Sequence, residues 1–177
     1  MEQYSGEKRS DFLNRYVYLG NGKYTATNIK LNPGYADRDS AITLNFDIKL
    51  HDFVTEVDDQ VFVNLHLRKP TGFEKIDAAT RETDQIVEYK AATFLETSFE
   101  IPKGYEVVSL PKNSESADLR FGFKIQYRKE QNRIVLSREL YIDILTITKS
   151  DFEDWNANAE KLADATKELI ILRKTKP

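Results

Sequence analysis

The feature that most constrains the fold is a strict alternation of apolar and polar residues that begins at residue 41. Its apolar members are Ile42, Leu44, Phe46, Ile48 and Leu50. Because successive side chains of a strand point to opposite faces, this pattern predicts a half-buried strand over 41–54. A second apolar run covers 61–67, and a short acidic link separates the two runs. Together they predict an antiparallel hairpin in which Val54 lies opposite Val63.

Later segments repeat the alternation and predict further strands at 85–89, 93–101, 105–110, 117–128 and 134–148. The last of these carries apolar residues on both parities, which is typical of a strand that is central, that bends and changes its buried face, or that is covered on both sides. The sequence therefore predicts a mainly β fold, an antiparallel β-sandwich of about eight or nine strands with one C-terminal α-helix. A half-open barrel is the alternative.

The one predicted helix lies near 150–167. Ser150 and Glu153 have the spacing of a capping box, and apolar residues then recur every three or four positions. The apolar end of the chain, 169–172, fits a terminal strand slightly better than a last helical turn.

The domain organisation predicted from the chain is simple. Residues 1–10 are polar and are expected to be a disordered lead-in or a cloning boundary. Residues 11–177 are expected to form a single β-sandwich domain, and Gly20–Gly22 is expected to be the turn of an early hairpin.

Composition excludes several function classes. With 26 Lys plus Arg against 29 Asp plus Glu, the net charge is −3, which argues against a nucleic-acid partner. The chain has no Cys and two His, which excludes thiol catalysis and a multi-histidine centre. It also has no apolar run of membrane-spanning length, no Gly-x-Ser-x-Gly elbow and no glycine-rich phosphate loop. We therefore expect neither catalysis nor a cofactor.

The histidines are weak metal candidates. The predicted hairpin register places His51 opposite His66, at a Cβ separation of about 4.5–5.5 Å. Two ligands make a poor site, because structural zinc normally has four. Calcium at the acidic runs 37–39 and 58–59 is a further weak alternative, since neither run matches a full calcium loop.

Four aromatic residues are candidates for interaction with a partner. Phe62 and Phe94 lie on the otherwise polar parity of their strands, and Phe152 and Trp155 lie on the apolar stripe of the helix. Such residues could stack on a glycan or contact a neighbouring domain. The favoured alternative is that the second sheet face packs beneath the helix.

Several motifs of the second half are similar to a known module. The run Ile101-Pro-Lys-Gly-Tyr-Glu-Val-Val-Ser-Leu-Pro111 resembles the IPxGYxVxxLP signature of the C-terminal domain of bacterial transglutaminase-like proteins. The runs 121–127 and 132–140 resemble its paired strands, and 151–155 resembles its acidic-aromatic helix. The likeness spans roughly 41–174.

This resemblance implies a non-catalytic accessory domain of a larger, exported, periplasmic or cell-surface protein. In the family, such a module follows a papain-like core that carries the catalytic Cys-His-Asp, and this chain has no Cys to receive that role. The expected partners are neighbouring domains of the same polypeptide. A carbohydrate-binding module is the alternative, and no transmembrane segment is expected in this chain.

Overall fold

The computed structural model describes Leu19 and residues 23–31, 43–116, 118 and 120–175. Over these residues the protein is mainly β, with antiparallel sheets and one α-helix near the C-terminus, as the sequence predicts. Its contacts separate into two compact units, residues 1–53 with 67–69 and residues 54–66 with 70–177. The single domain over 11–177 stays a prediction. The expected lead-in and the turn at Gly20–Gly22 lie outside the described residues.

Twelve strands occur in the described ranges, against the eight or nine that were predicted. Four of them span only two or three residues, too short to produce a visible alternation. In chain order the strands are β1 (Tyr24–Leu31), β2 (Leu44–Leu50), β3 (Thr55–Val57), β4 (Gln60–Val63), β5 (Gln85–Ile86), β6 (Ala91–Glu100), β7 (Tyr105–Ser109), β8 (Ser114–Glu115), β9 (Phe121–Glu130), β10 (Arg133–Ile142), β11 (Thr146–Ile147) and β12 (Ile170–Lys174).

The first unit contains the antiparallel pair β1–β2. Along β2 the even-numbered residues are half-buried and the odd-numbered ones exposed, which confirms the predicted alternation. The pairing shifts register between Thr27 and Lys30, where Asn28 adopts a left-handed backbone with φ of 52°. Such a bulge changes the direction of a side chain at a strand's surface.

The second unit contains two four-stranded sheets in a sandwich-like arrangement. The β10 sheet has the order β6-β10-β9-β8, and the β12 sheet has the order β3-β4-β12-β7. The strand that carries apolar residues on both parities, β10, is central, which is one of the arrangements that its pattern predicts, and it ends at Ile142 rather than at 148. The chain end 170–174 is a strand and is also central to its sheet.

The predicted hairpin is correct in register and wrong in extent. Thr55 pairs with Phe62, the register expected from Val54 opposite Val63, but the paired segment covers only β3 and β4. The strand before it, β2, pairs with β1 instead. A local pattern reveals that a strand is half-buried but not which strand completes its ladder.

The helix α1 spans Phe152–Ala165 and follows a 3-10 turn at Lys149–Asp151. The predicted capping box at Ser150 and Glu153 is wrong by two residues. Instead the Asp151 carboxylate accepts hydrogen bonds from the backbone N–H of Thr148, at 3.1 Å, and from its hydroxyl, at 2.6 Å. The 3-10 turn moves the start of the helical segment toward the N-terminus, so Thr148 takes the capping role.

Helix α1 is fixed to the preceding loop by aromatic and amide contacts. The Trp155 ring stacks on Phe73 at a centroid distance of 5.1 Å, and its Nε1–H donates to the Glu74 carbonyl. The Asn156 side chain donates to the carbonyl of Ile76 and accepts from its N–H. These bonds satisfy the backbone of a loop that has little secondary structure of its own.

Candidate interaction surface

The outward side of the β12 sheet carries a pair of apolar side chains on its two central strands. The pairing aligns Thr55, Phe62, Ile171 and Ser109 across all four strands, so these residues share one face. Directly opposite Cβ atoms in such a row lie about 4.5–5.5 Å apart. Phe62 and Ile171 are half-buried against each other, whereas Thr55 is exposed.

Two exposed valines extend this row. Val57 lies on the same side of β3, two residues from Thr55, and is 52% exposed. Val108 is also exposed, at the register shift between β7 and β12. We call the surface formed by Thr55, Val57, Phe62, Val108 and Ile171 the Phe62 face. On the opposite, inward side of the two central strands the residues Val61, Val63, Ile170 and Leu172 are apolar and buried.

The outward side of the β10 sheet is charged. Its cross-strand neighbours include Lys124 beside Glu139, and the Arg128 guanidinium lies 3.8 Å from the Glu96 carboxylate. Phe94 is an exposed apolar residue on this side, directly opposite Glu139 and 67% exposed. Phe94 is therefore an exposed aromatic, as expected, but in a charged setting.

The two helical candidates need correction. Phe152 and Trp155 are both buried, and the Trp155 ring also contacts Phe121 at a centroid distance of 5.1 Å. They face the core because the apolar stripe of α1 packs on the protein's interior. Neither residue presents a surface to a partner in this fold.

The two histidines have separate surroundings. His51 belongs to the first unit, where its Nε2 lies 3.1 Å from the Thr25 hydroxyl. His66 belongs to the second unit and is buried. The ladder that would pair them ends at Thr55 and Phe62.

The acidic runs give no calcium geometry in the described residues. Asp59 lies near Arg173, at 3.7 Å, and Asp58 occupies a turn with φ of 54°. The run 37–39 lies outside the described residues. Over the ranges that the structure covers, no three His, Asp or Glu side chains group as a metal site.

A buried polar cluster joins the β10 sheet to the segment that follows β4 and contains His66. The Nε2 of His66 lies 2.9 Å from the Tyr127 hydroxyl, and its Nδ1 lies 3.4 Å from Nη1 of Arg138. A guanidinium can only donate, so Nδ1 accepts and Nε2–H donates to Tyr127. The backbone N–H of His66 donates to Asn64, whose amide donates to the Thr166 carbonyl at the end of α1.

This cluster has shifted protonation equilibria. Burial, and then the Arg138 charge, lower the pKa of His66 to about 4, so its ring is neutral at pH 7. Burial, and then the carboxylate of Glu168, raise the pKa of Tyr127 above its usual range. The neutral His66 ring accepts a hydrogen bond from Arg138 and donates one to Tyr127. It therefore links these two side chains and restricts their orientation.

Sequence reasoning missed Arg138, which is only 2% exposed. The signal was present, because Arg138 occupies the inward parity of β10 together with Leu136 and Leu140. A charged residue at an inward position indicates a buried hydrogen-bonded group. The apolar residues on both parities of this strand obscured it.

Residues 59–172 match a family model that is described as a domain of unknown function with a solved structure, DUF3858. No curated protein and no solved structure is significantly similar to the chain. In the part of the chain that the structure describes, no helix is long and apolar enough to cross a membrane.

Proposed function

The chain belongs to the DUF3858 family of domains of unknown function, and from this premise we propose that it is a non-catalytic accessory domain of a larger transglutaminase-like envelope protein. In this proposal the Phe62 face binds a neighbouring domain of the same polypeptide. The protein would be exported, to the periplasm or the cell surface.

The observation that carries the proposal is the set of apolar side chains on the Phe62 face. Scattered exposed apolar residues are normal on a soluble protein, but a cross-strand apolar pair with an exposed valine on each flanking strand is a different arrangement. Phe62 and Ile171 are cross-strand neighbours, and Val57 and Val108 flank them with exposed methyl groups. An apolar centre with polar residues around it is typical of the central part of an interface.

The choice of partner follows from the sequence motifs. Ile101–Pro111 resembles the signature of a module that follows a papain-like transglutaminase core. That signature forms the β7 edge of the same sheet, with a turn at Pro102–Gly104 before the strand. A neighbouring catalytic core would therefore meet the sheet to which both the motif and the Phe62 face belong.

The first test is the size of the native polypeptide in its source cell, by immunoblot with an antibody against this chain. We expect a band far above 20.5 kDa and, by mass spectrometry of that band, a transglutaminase-like core in the same polypeptide. A native band near 20.5 kDa would overturn the proposal.

The second test addresses the surface itself. In the long polypeptide, Val57→Lys is expected to lower the thermal midpoint and increase amide exchange in β3 and β4, because the lysine charge would be buried against the neighbouring domain. In the isolated chain the same change should have little effect. Ile86→Lys is the matched control, since Ile86 is an aliphatic side chain 64% exposed outside the Phe62 face. Equal effects of the two variants on the long polypeptide would refute binding through this face.

A carbohydrate-binding module is the second candidate, and one observation favours it. An open depression of about 610 Å³ in the first unit is lined by Asn28, Lys30, Asn45, Asp47 and neighbouring apolar residues. The Asn28 amide donates to the Asp47 carboxylate at 2.6 Å, from the bulge in β1. Amide, carboxylate and ammonium groups can all hydrogen-bond sugar hydroxyls. Failure to bind a broad glycan panel, with and without Ca²⁺, would remove this candidate.

A further inference from the structure

The strand β6 forms an unusually long and regular sheet edge. All ten of its residues, Ala91–Glu100, pair with β10 without a register shift. Among the described residues, β10 is the only strand that pairs with it. Alternate N–H and C=O groups of an edge strand point away from the sheet and can accept another strand.

The other edges of the two four-stranded sheets carry features that discourage strand addition. The edge strands β3 and β8 have three and two residues, and β7 has a register shift. Short edges and bulges are common natural protection against edge-to-edge pairing, as are lysine and proline. The β6 sequence, AATFLETSFE, contains no Lys, Arg, Pro or Gly.

The side chains of β6 are also incompletely covered. Its inward residues Leu95, Thr97 and Phe99 are half-buried, whereas Leu136 and Ile134, their neighbours on β10, are fully buried. An additional strand beside β6 would complete this cover. On the outward side it would also bury part of Phe94.

We propose that the occupant of this edge is β6 of a second copy of the chain, paired antiparallel around a two-fold axis at Leu95. A continuous sheet requires inward residues to face inward residues, so one residue must lie opposite its own copy. An axis at Glu96 would place like charges directly opposite, which destabilises a sheet. With an axis at Leu95, all residues from 91 to 99 are paired, and Ala91 lies opposite Phe99 of the second copy. Axes at Phe94 or Thr97 pair fewer residues of β6.

The Leu95 register also suits the side chains. No charged residue lies opposite another, because Glu96 faces Phe94 of the second copy and Thr97 faces Thr93. The two Phe94 rings become diagonal neighbours, roughly 7–8 Å apart at Cα and within reach of aromatic side chains. One strand pair buries less than the about 1,200–2,000 Å² of a stable interface, so the dimer should be weak and concentration-dependent.

Sedimentation equilibrium of the isolated chain tests the proposal. We expect the mass to rise with concentration from 20.5 kDa toward twice that value. Phe94→Glu should abolish the rise, because it places a carboxylate opposite Glu96 of the other copy, whereas the matched variant Phe94→Lys should retain it. A wild-type chain that stays monomeric, or a Phe94→Glu variant that still dimerises, would overturn the proposal.

The register has its own test, because the chain contains no cysteine. Leu95→Cys should form an intermolecular disulfide on oxidation, since the axis brings the residue opposite itself. Thr93→Cys is the control, because the two copies of residue 93 would lie roughly 13 Å apart along the strands. Preferential crosslinking of Thr93→Cys, or a dimer in which Leu95→Cys does not crosslink, would refute this register. Both experiments use the isolated chain, so their failure would leave the Phe62 face proposal unaffected.

Discussion

The β10 sheet and the β12 sheet distribute polarity in opposite ways. The β12 sheet has apolar residues on the inward side of its two central strands and further apolar residues on its outward side, the Phe62 face. The β10 sheet has a charged outward side, and it carries its unusual polar residue, Arg138, on the inward side. The β12 sheet therefore exposes apolar side chains, which are normally buried. The β10 sheet buries a charged side chain, which is normally exposed.

The two departures have different physical consequences. A buried guanidinium requires hydrogen-bond partners, and the contacts of Arg138 with His66 and of His66 with Tyr127 fix how the segment 64–66 meets the β10 sheet. Exposed apolar side chains need no such partners within the protein. The free energy falls only when another surface covers them. The buried polar group thus contributes to internal order, and the exposed apolar residues would contribute to the association that we propose.

The largest expected effect comes from the two sides of β12. Leu172→Ala removes a fully buried side chain and should lower the free energy of unfolding by about 2–5 kcal/mol. Its neighbour Ile171 is half-buried on the Phe62 face, and Ile171→Ala should cost about 1 kcal/mol or less. Urea unfolding of both variants with unchanged m-values provides the measurement. Equal losses would mean that the outward side is as well packed as the inward side, and the contrast between the sheets would disappear.

The next effect concerns the buried polar cluster and pH. The folded-state pKa of His66, about 4, lies below its unfolded value of 6.5, so the unfolded chain binds more protons between these limits. The stability that the neutral His66 ring contributes should be fully present above pH 6.5. The free energy of unfolding should then fall by about 3 kcal/mol as the pH drops to 4. Protonation would place a buried imidazolium beside the Arg138 charge, and Tyr127, whose pKa is raised by burial, is a neutral phenol that supplies no opposite charge.

The measurement is the free energy of unfolding from pH 7 to pH 4 in the wild type and in two variants. His66→Gln should lose the part of the slope between pH 6.5 and 4, and His51→Gln, in the exposed first-unit position, should retain it. The same slope in wild type and His66→Gln would show that this histidine is not the responsible group.

Local periodicity predicted those parts of the fold that depend on single strands. The alternation along β2, the central position of β10 and the strand at 170–174 were all found, because burial of one strand face leaves a period of two in the sequence. The register of β3 with β4 was predicted as well, since the apolar faces of neighbouring segments must match.

Contacts between segments that are far apart in the chain could not be predicted in the same way. The pairing of β2 with β1, and the meeting of His66 with Tyr127, depend on how distant segments come together rather than on local pattern. The Phe62 face could be predicted in part, because Phe62 is an apolar residue on the otherwise polar side of its strand. Its extension by Ile171 and Val108 required the strand order of the sheet, in which β4, β12 and β7 are neighbours although they are far apart in the chain.

The smallest effect concerns the turn before β7, the protected edge of the β12 sheet. Gly104 has φ of +82°, in the left-handed region, and an added Cβ would meet no atom within 4 Å. Gly104→Ala should therefore cost about 1 kcal/mol through backbone conformation alone, because only glycine adopts this region without a steric penalty. Lys103→Ala, in the same turn, is the control and should change the free energy of unfolding by less than about 0.5 kcal/mol. If Gly104→Ala left the free energy of unfolding unchanged, this result would show that the turn can change conformation. The glycine of the Ile101–Pro111 motif would then not be needed to direct β7 into the sheet, and the protection of that edge would rest on the register shift with β12.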